Sequence, residues 1–226
     1  MIKLIAFDWN GTLLADTKTT LNSSNKSFVR YGLKPITIHE FRKTFTIPII
    51  KFWQKNGLEK NINFFKQSIL FHNDYNQDAN FTRTRSGAKL ILEWLQKNHI
   101  QSIIFSNHIS PEITKQLIRL NIFQYFNNIL ARSIDDHSHV LQKSKDKKLN
   151  ELVSKLKIRP FEIMLVGDTE EEIEIGKKFG YYTVAITGGY NTTARLKKHH
   201  PDFLIHNLKD LIPIIKKINS HSYGPV

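Results

Sequence analysis

Ile2-Lys3-Leu4-Ile5-Ala6-Phe7, followed directly by Asp8-Trp9-Asn10-Gly11-Thr12, sets the frame for the rest of the chain. A short, nearly uninterrupted apolar run is the pattern of a strand buried on both faces, as in a parallel sheet; a surface strand would alternate. The run stops on a carboxylate, then a glycine turn and a hydroxyl residue. That order presents Asp8 and a row of backbone N–H groups at the carboxyl edge of a sheet, where open α/β folds bind ligands.

Four further apolar runs repeat the pattern: Ser102–Phe105, Asn128–Leu130, Ile163–Val166 and Tyr182–Ile186, with Phe203–Ile205 as a sixth candidate. Amphipathic segments lie between them. In Gly87–Asn98 the apolar positions Leu90, Ile91, Trp94 and Leu95, and in Pro111–Asn121 the positions Ile113, Leu117, Ile118 and Leu120, recur at helical spacing. Alternation of strands and helices predicts an α/β fold with a mostly parallel sheet covered on both faces.

From about Leu14 to Thr84 the rhythm breaks, and helices are expected over Asn22–Tyr31, Thr37–Phe45, Pro48–Asn56 and Glu59–Asn76. Thr37 with Glu40 three residues later makes a capping box, Pro48 suits a first helical turn, and Gly32 and Gly57 suit positions just past a helix end. The aromatics Phe41, Phe45, Phe52, Trp53, Phe64, Phe65 and Phe71 are expected to form this insertion's own small core. The tail Asn219–Val226 reads as flexible.

Composition narrows the chemistry. The 226 residues contain no cysteine, which excludes disulfides, thiolate metal sites and cysteine nucleophiles. The apolar run before Asp8 is too short for a secretory signal, and no run approaches the roughly 18 residues of a membrane span; a soluble cytoplasmic protein with no membrane partner is expected. The formal charge of +13 comes from lysines spread along the whole chain. They read as a solvated surface that favours phosphorylated partners, and no nucleic-acid-binding motif accompanies them.

Three strand-end loops beyond the first and a lysine-rich segment carry chemistry. Ser106-Asn107-His108 follows Ser102–Phe105 and either caps the next helix or offers a hydroxyl at the sheet edge. Val166-Gly167-Asp168-Thr169-Glu170-Glu171-Glu172 places hard oxygen donors on a strand-end turn, suited to magnesium, and its acidic run also complements a helix N-terminus. Thr187-Gly188-Gly189-Tyr190 follows the fifth strand. Lys143, Lys145, Lys147 and Lys148 crowd ahead of a helix whose buried stripe is Leu149, Leu152, Val153 and Leu156.

Taken in order, these loops resemble the haloacid dehalogenase superfamily, and phosphoglycolate-phosphatase-like members in particular, over nearly the full chain. The resemblance implies a Rossmann-like core domain (1–14 and 85–218), a helical cap inserted after the first strand (15–84) and a tail (219–226). It implies Asp8 as nucleophile and metal ligand and the Asn10 carbonyl as a second ligand. Gly11, Thr12, Ser106 and Asn107 would hold the phosphoryl group, Lys143 would be the motif lysine with Lys145 as the other candidate, and Asp168 and Glu172 would bind Mg2+ directly and through water. The implied activity is magnesium-dependent hydrolysis of a small phosphorylated metabolite through an aspartyl-phosphate.

The departure is Asn10, which stands where the superfamily's phosphatases carry a second aspartate as general acid. Such acid-base catalysis contributes about 10²–10⁴-fold, and an amide cannot supply it, so a slow enzyme or one restricted to good leaving groups is expected, with His108 a candidate proton donor. His137 and His139 lie in a loop that the sequence does not place. Phosphonoacetaldehyde hydrolases of the same superfamily also pair tryptophan with a non-acid in this motif and use a cap lysine; Lys43, Lys51 and Lys55 are the counterparts here, Lys51 being flanked by Phe52 and Trp53. A degenerate member that binds a phosphorylated ligand or a partner protein is the third reading.

Overall fold

The computed structural model describes residues 1–133, 135–136, 138–141 and 145–221. Six parallel strands, β1 (Leu4–Phe7), β2 (Gln101–Ile109), β3 (Asn128–Arg132), β4 (Ile163–Gly167), β5 (Tyr182–Ile186) and β6 (Phe203–Ile205), form one sheet in the order β3-β2-β1-β4-β5-β6. The chain builds outward from β1 on one side and then returns to build outward on the other. That reversal opens a crevice at the carboxyl ends of β1 and β4, which are the ends that carry Asp8 and Asp168.

Helices α1 (Thr17–Arg30), α2 (Ile38–Thr44), α3 (Ile49–Lys55) and α4 (Phe64–Ala79) stand between β1 and β2, and α5 (Ala88–Lys97) leads into β2. Beyond it come α6 (Ser110–Arg119), α7 (Lys145–Leu156), α8 (Glu170–Phe179), α9 (Thr193–Lys198) and α10 (Leu211–His221). Side chains alternate across the sheet with the period of two that strands impose. Ile5, Phe7, Ile104, Met164 and Val166 pack with Ile91, Leu95 and Leu117 on one face. Leu4, Ala6, Ile103, Phe105 and Leu165 pack with Leu149 and Val153 on the other. Both faces are therefore covered, which is why the strands read as continuous apolar runs.

Helix α4 starts at Phe64, capped by Asn63, and not at the expected Glu59, and the structure departs from the sequence reading in four further places. Helix α1 begins at Thr17, ahead of the expected Asn22, because its buried face is polar: Thr17, Thr20, Ser23, Ser24 and Ser27 are buried. The Ser23, Ser24 and Ser27 hydroxyls donate to the carbonyls of Thr19, Thr20 and Ser23 one turn back, which satisfies them without an apolar stripe. Strand β2 runs on to Ile109, with its pairing to β3 shifting between Phe105 and Ile109. Ser106-Asn107-His108 thus lies within an irregular strand, and the residue that precedes α6 is Ile109, with no side-chain cap. At the C-terminus α10 extends to His221 and the Asn219 side-chain oxygen accepts from the Ile2 N–H at 2.7 Å, so Asn219 and Ser220 belong to the folded body.

The fourth departure concerns the insertion. Its core contains Phe28, Phe41, Phe45, Phe52, Trp53 and Phe64, but it is completed by Val140 and Tyr190 from outside it. Phe65 is exposed, and Phe71 is only partly buried and faces a cavity. The Thr37–Glu40 capping box forms as expected, Pro48 sits immediately before α3, and Gly32 and Gly57 take the left-handed conformation just past α1 and α3.

Candidate active site

Asp8 continues β1 by one residue, its N–H donating to the Val166 carbonyl at 2.9 Å. Asp168 ends β4 beside it, fully buried. Thr12 donates its hydroxyl to one Asp168 oxygen at 2.6 Å, and the Tyr190 N–H donates to the other at 2.5 Å. Backbone closes in from two sides: a Cβ at Gly11, where φ is +76°, or at Gly189 would collide with the Asp168 carboxyl group. Arg85 clamps both loops by donating to the Gly11 carbonyl at 2.7 Å and the Thr187 carbonyl at 2.6 Å.

Lys145, at the first turn of α7, reaches into this cluster. Its ammonium lies 3.4 Å from Asp8 and 3.3 Å from Glu171, and it also donates to Glu172. Glu172 is held at the start of α8 by a capping box with Thr169, and Glu171 accepts from the Asn107 amide at 2.8 Å. Burial alone would lower the Lys145 pKa, but the three carboxylates outweigh it and hold the amine well above its ordinary range. Burial raises Asp8, against the pull of Lys145, with Glu172, Asp168 and Glu171 adding repulsion. Asp168 is raised by burial and then by Glu172, to about 7, while Thr12, Tyr190 and Arg85 pull it down. Burial likewise raises Glu171.

Asp8, Glu171 and Glu172 around the ammonium, with Asp168 buried beside them, form a hard-oxygen donor set of the kind that suits a divalent cation. Among the described residues, no three His, Asp or Glu side chains already converge as a coordination shell.

Asn10 has a partner that the sequence reading did not single out. Its amide donates to the Asp16 carboxylate at 2.7 Å and to the Tyr75 hydroxyl at 2.9 Å. Asp16, fully buried, also accepts from the Tyr75 hydroxyl at 2.7 Å, the Tyr190 hydroxyl at 2.8 Å and the Gly11 N–H at 2.7 Å. Burial pushes the Asp16 pKa up, and these donors pull against it. The one sequence cue was a carboxylate placed immediately after the apolar Leu13-Leu14-Ala15; Tyr75 offered none, since it lies far along the chain on α4.

Above Asp8 a cavity of about 110 Å³ lies between the sheet edge and the inserted helices. Asp8, Asn10, Ser106, Asn107 and Lys145 line its floor, and Trp53, Phe71, His72 and Tyr75 line the opposite wall with His139. Ser106 keeps its hydroxyl at the cavity, where it accepts from the His108 N–H at 3.1 Å. His108 is buried with its ring 5.5 Å from those of His72 and Tyr75. Burial, then His72 and Arg132, hold its pKa well below the ordinary value, so it is neutral at pH 7.

The structure thus gathers Asp8, Asn10, Ser106, Asn107, Asp168 and Glu172 at one edge, together with Lys145. Gly11 and Thr12 anchor Asp16 and Asp168 from behind and do not line the cavity. Lys143 and His137 lie outside the described residues. Lys43, Lys51 and Lys55 are exposed, and none lines the cavity. Phe52 and Trp53 flank Lys51 in sequence, but successive helical residues point about 100° apart, so the two rings go inward and the lysine goes out.

Beside this arrangement of a strand-end carboxylate, a hydroxyl on the neighbouring strand, a buried lysine and a second strand-end carboxylate stands the comparison of the sequence with known families. A family model for haloacid dehalogenase-like hydrolases matches residues 5–186. The chain belongs to this family. Among its relatives, the pyrophosphatase PpaX of Oceanobacillus iheyensis is 28% identical over 218 residues, covering 95% of this chain and 97% of that protein. A phosphoglycolate phosphatase of Pseudomonas fluorescens is 24% identical over 219 residues, covering 93% and 79%. A haloacid dehalogenase-like hydrolase from Streptococcus pneumoniae has the same fold, with a TM-score of 0.80 at 18% identity and coverage of 95% and 98%. No helix among the described residues of this dehalogenase-family hydrolase is long and apolar enough to cross a membrane.

Proposed function

We propose that the protein is a Mg2+-dependent phosphatase of small phosphorylated metabolites, with segment 15–84 as its cap. The observation that carries the reading is Lys145 bridging Asp8 to Glu171 and Glu172 directly below the cavity. This ammonium restrains Asp8 against its acidic neighbours and offers a charge to phosphoryl oxygens that approach. The Ser106 hydroxyl and the backbone N–H groups after Asp8 and Ser106 supply the remaining donors. An Asp8 oxygen attacks phosphorus, the ester bond breaks with its electron pair on the departing oxygen, and water then cleaves the aspartyl-phosphate. Bound magnesium, held by Asp8, Asp168 and the Asn10 carbonyl with Glu172 behind, would neutralise charge on the phosphoryl oxygens.

Asn10 cannot protonate the leaving oxygen, because a carboxamide N–H is not an acid in the physiological range, and its two N–H groups are in any case engaged by Asp16 and Tyr75. The reading therefore favours leaving groups that depart without a proton. Magnesium-dependent phosphate release from p-nitrophenyl phosphate or acetyl phosphate, lost in Asp8→Asn, is the expected result. No turnover across a broad panel of phosphate esters and acyl phosphates would reject the proposal.

A further inference from the structure

The phosphoryl end of the cavity is crowded with charge, whereas the end that receives the leaving group has almost none. Among the described residues that line it, Lys145 is the sole lysine or arginine, and its ammonium is engaged by Asp8, Glu171 and Glu172. The nearby arginines lie outside the lining: Arg42 donates to the Gly188 and Gly189 carbonyls, Arg85 to those of Gly11 and Thr187, and Arg132, buried near His108, donates through Nε and Nη1 to those of Asn107 and Asp136 while its Nη2 has no partner among the described residues. A carboxylate or second phosphate on the leaving group would lose its water there and, among the described lining residues, meet no second lysine or arginine.

Planar side chains fill the same space. The His72 and His108 rings lie 5.5 Å apart, Tyr75 meets His108 edge-on at 5.5 Å, His139 lies 5.9 Å from His72, and Phe71 stacks with Tyr75 at 6.2 Å. Ile47, Ile49 and Trp53 complete the apolar wall. These spacings are those at which aromatic rings attract one another in offset or edge-to-face arrangements, and a flat ligand extends the cluster.

Asn10 points to the same class by independent chemistry. A phenol leaves as an anion whose conjugate acid has a pKa of about 10, as for a tyrosine side chain. A simple alcohol lies nearer water, at about 15.7, and needs the missing acid.

Resting on the phosphatase reading, we propose that this site takes the phosphate monoester of an uncharged aromatic or heteroaromatic hydroxyl, held among His72, His108, Tyr75 and Phe71. Asp8 bonds to phosphorus, the P–O(aryl) bond breaks, and the phenolate leaves with the electron pair and takes its proton from solvent. Water then adds to phosphorus as the Asp8–phosphorus bond breaks. The water's proton passes to solvent and the phosphate departs.

Two measurements on the full chain with Mg2+ test this. Calorimetry should show phenylphosphonate binding at least about tenfold more tightly than phosphonoacetate, which carries the second anion. His72→Phe should keep that preference and His72→Arg, which adds a cation, should reverse it. Turnover of phenyl, benzyl, ethyl and acetyl phosphates separates recognition from departure: a lower KM is expected for the two ring compounds, and a higher kcat for phenyl and acetyl phosphate than for benzyl and ethyl. Phosphonoacetate binding as tightly as phenylphosphonate, or neither ligand binding, overturns the inference even if phosphatase activity is present. Absence of turnover with the ligand preference intact would instead reject the phosphatase reading and uphold the aromatic site.

Discussion

The floor and the wall of the cavity are built by opposite rules. The floor, at the ends of β1, β2 and β4, is a lattice of charges in which each side chain holds another: Thr12 and the Tyr190 N–H on Asp168, Thr169 on Glu172, Lys145 on three carboxylates. The wall, from α3 and α4, is a set of rings, with Tyr75 bonded to Asp16 and Asn10 at its edge. A lattice of fixed charges fits one kind of atom group in one geometry, whereas packed rings select by shape.

The most damaging change to the floor is Asp8→Asn, which removes the proposed nucleophile; the expected loss in kcat, read by phosphate release, is on the order of 10⁴-fold or more. Retained turnover would mean that the floor works by direct attack of water. Next is Asp16→Ala, which strands the Asn10 amide, two tyrosine hydroxyls and the Gly11 N–H in a buried space. A destabilisation of about 3–5 kcal/mol is expected by urea unfolding, and a loss below about 1 kcal/mol would show that water replaces the carboxylate.

Asn10→Asp sharpens the contrast between floor and wall. The new carboxyl group would face Asp16 across a 2.7 Å hydrogen bond, and two carboxyls at that distance share a proton. The variant should therefore carry a protonated acid near neutral pH and gain up to about 10²-fold on benzyl phosphate, with little change on phenyl phosphate. An equal gain on both esters would mean that leaving-group departure does not limit the native enzyme.

The smallest effect is on stability. Asp8, Asp16, Asp168 and Glu171 all have pKa values raised in the folded state, so at these four groups the folded protein binds more protons than the unfolded one, against the smaller opposite effect of His108, which is held neutral. The stability they contribute is fully present below their unfolded values, near pH 4, and is lost as pH rises, through about 7 for Asp168. Thermal melts in EDTA should fall by a few °C between pH 5 and 8, and added Mg2+ should restore more at pH 8 than at pH 5. A magnesium effect independent of pH would separate metal binding from this cluster.

The parts that were legible in the sequence are those that local pattern encodes. Each of β1, β4 and β5 is an apolar run, and in the first two the strand-end carboxylate follows directly. The Asp16 network was not legible, because its donors come from residues 10, 75 and 190 and become neighbours only through the packing of α4 and the loop after β5. Helix α1 hid its start because hydroxyls bonded to their own helix replace the apolar stripe. Among Lys143, Lys145, Lys147 and Lys148, helical register pointed to Lys143, which lies outside the described residues, whereas Lys145 reaches Asp8 from the first turn of α7, a side-chain reach that register does not encode.

Tyr190 belongs to both halves of the cavity. Its N–H holds Asp168, its hydroxyl holds Asp16, and its ring packs edge-on against Phe41 at 5.4 Å and Phe45 at 4.7 Å. One residue thereby ties the inserted helices to both buried carboxylates, so a substitution that removes the Tyr190 ring or hydroxyl disturbs the aromatic core and the Asp16 network together.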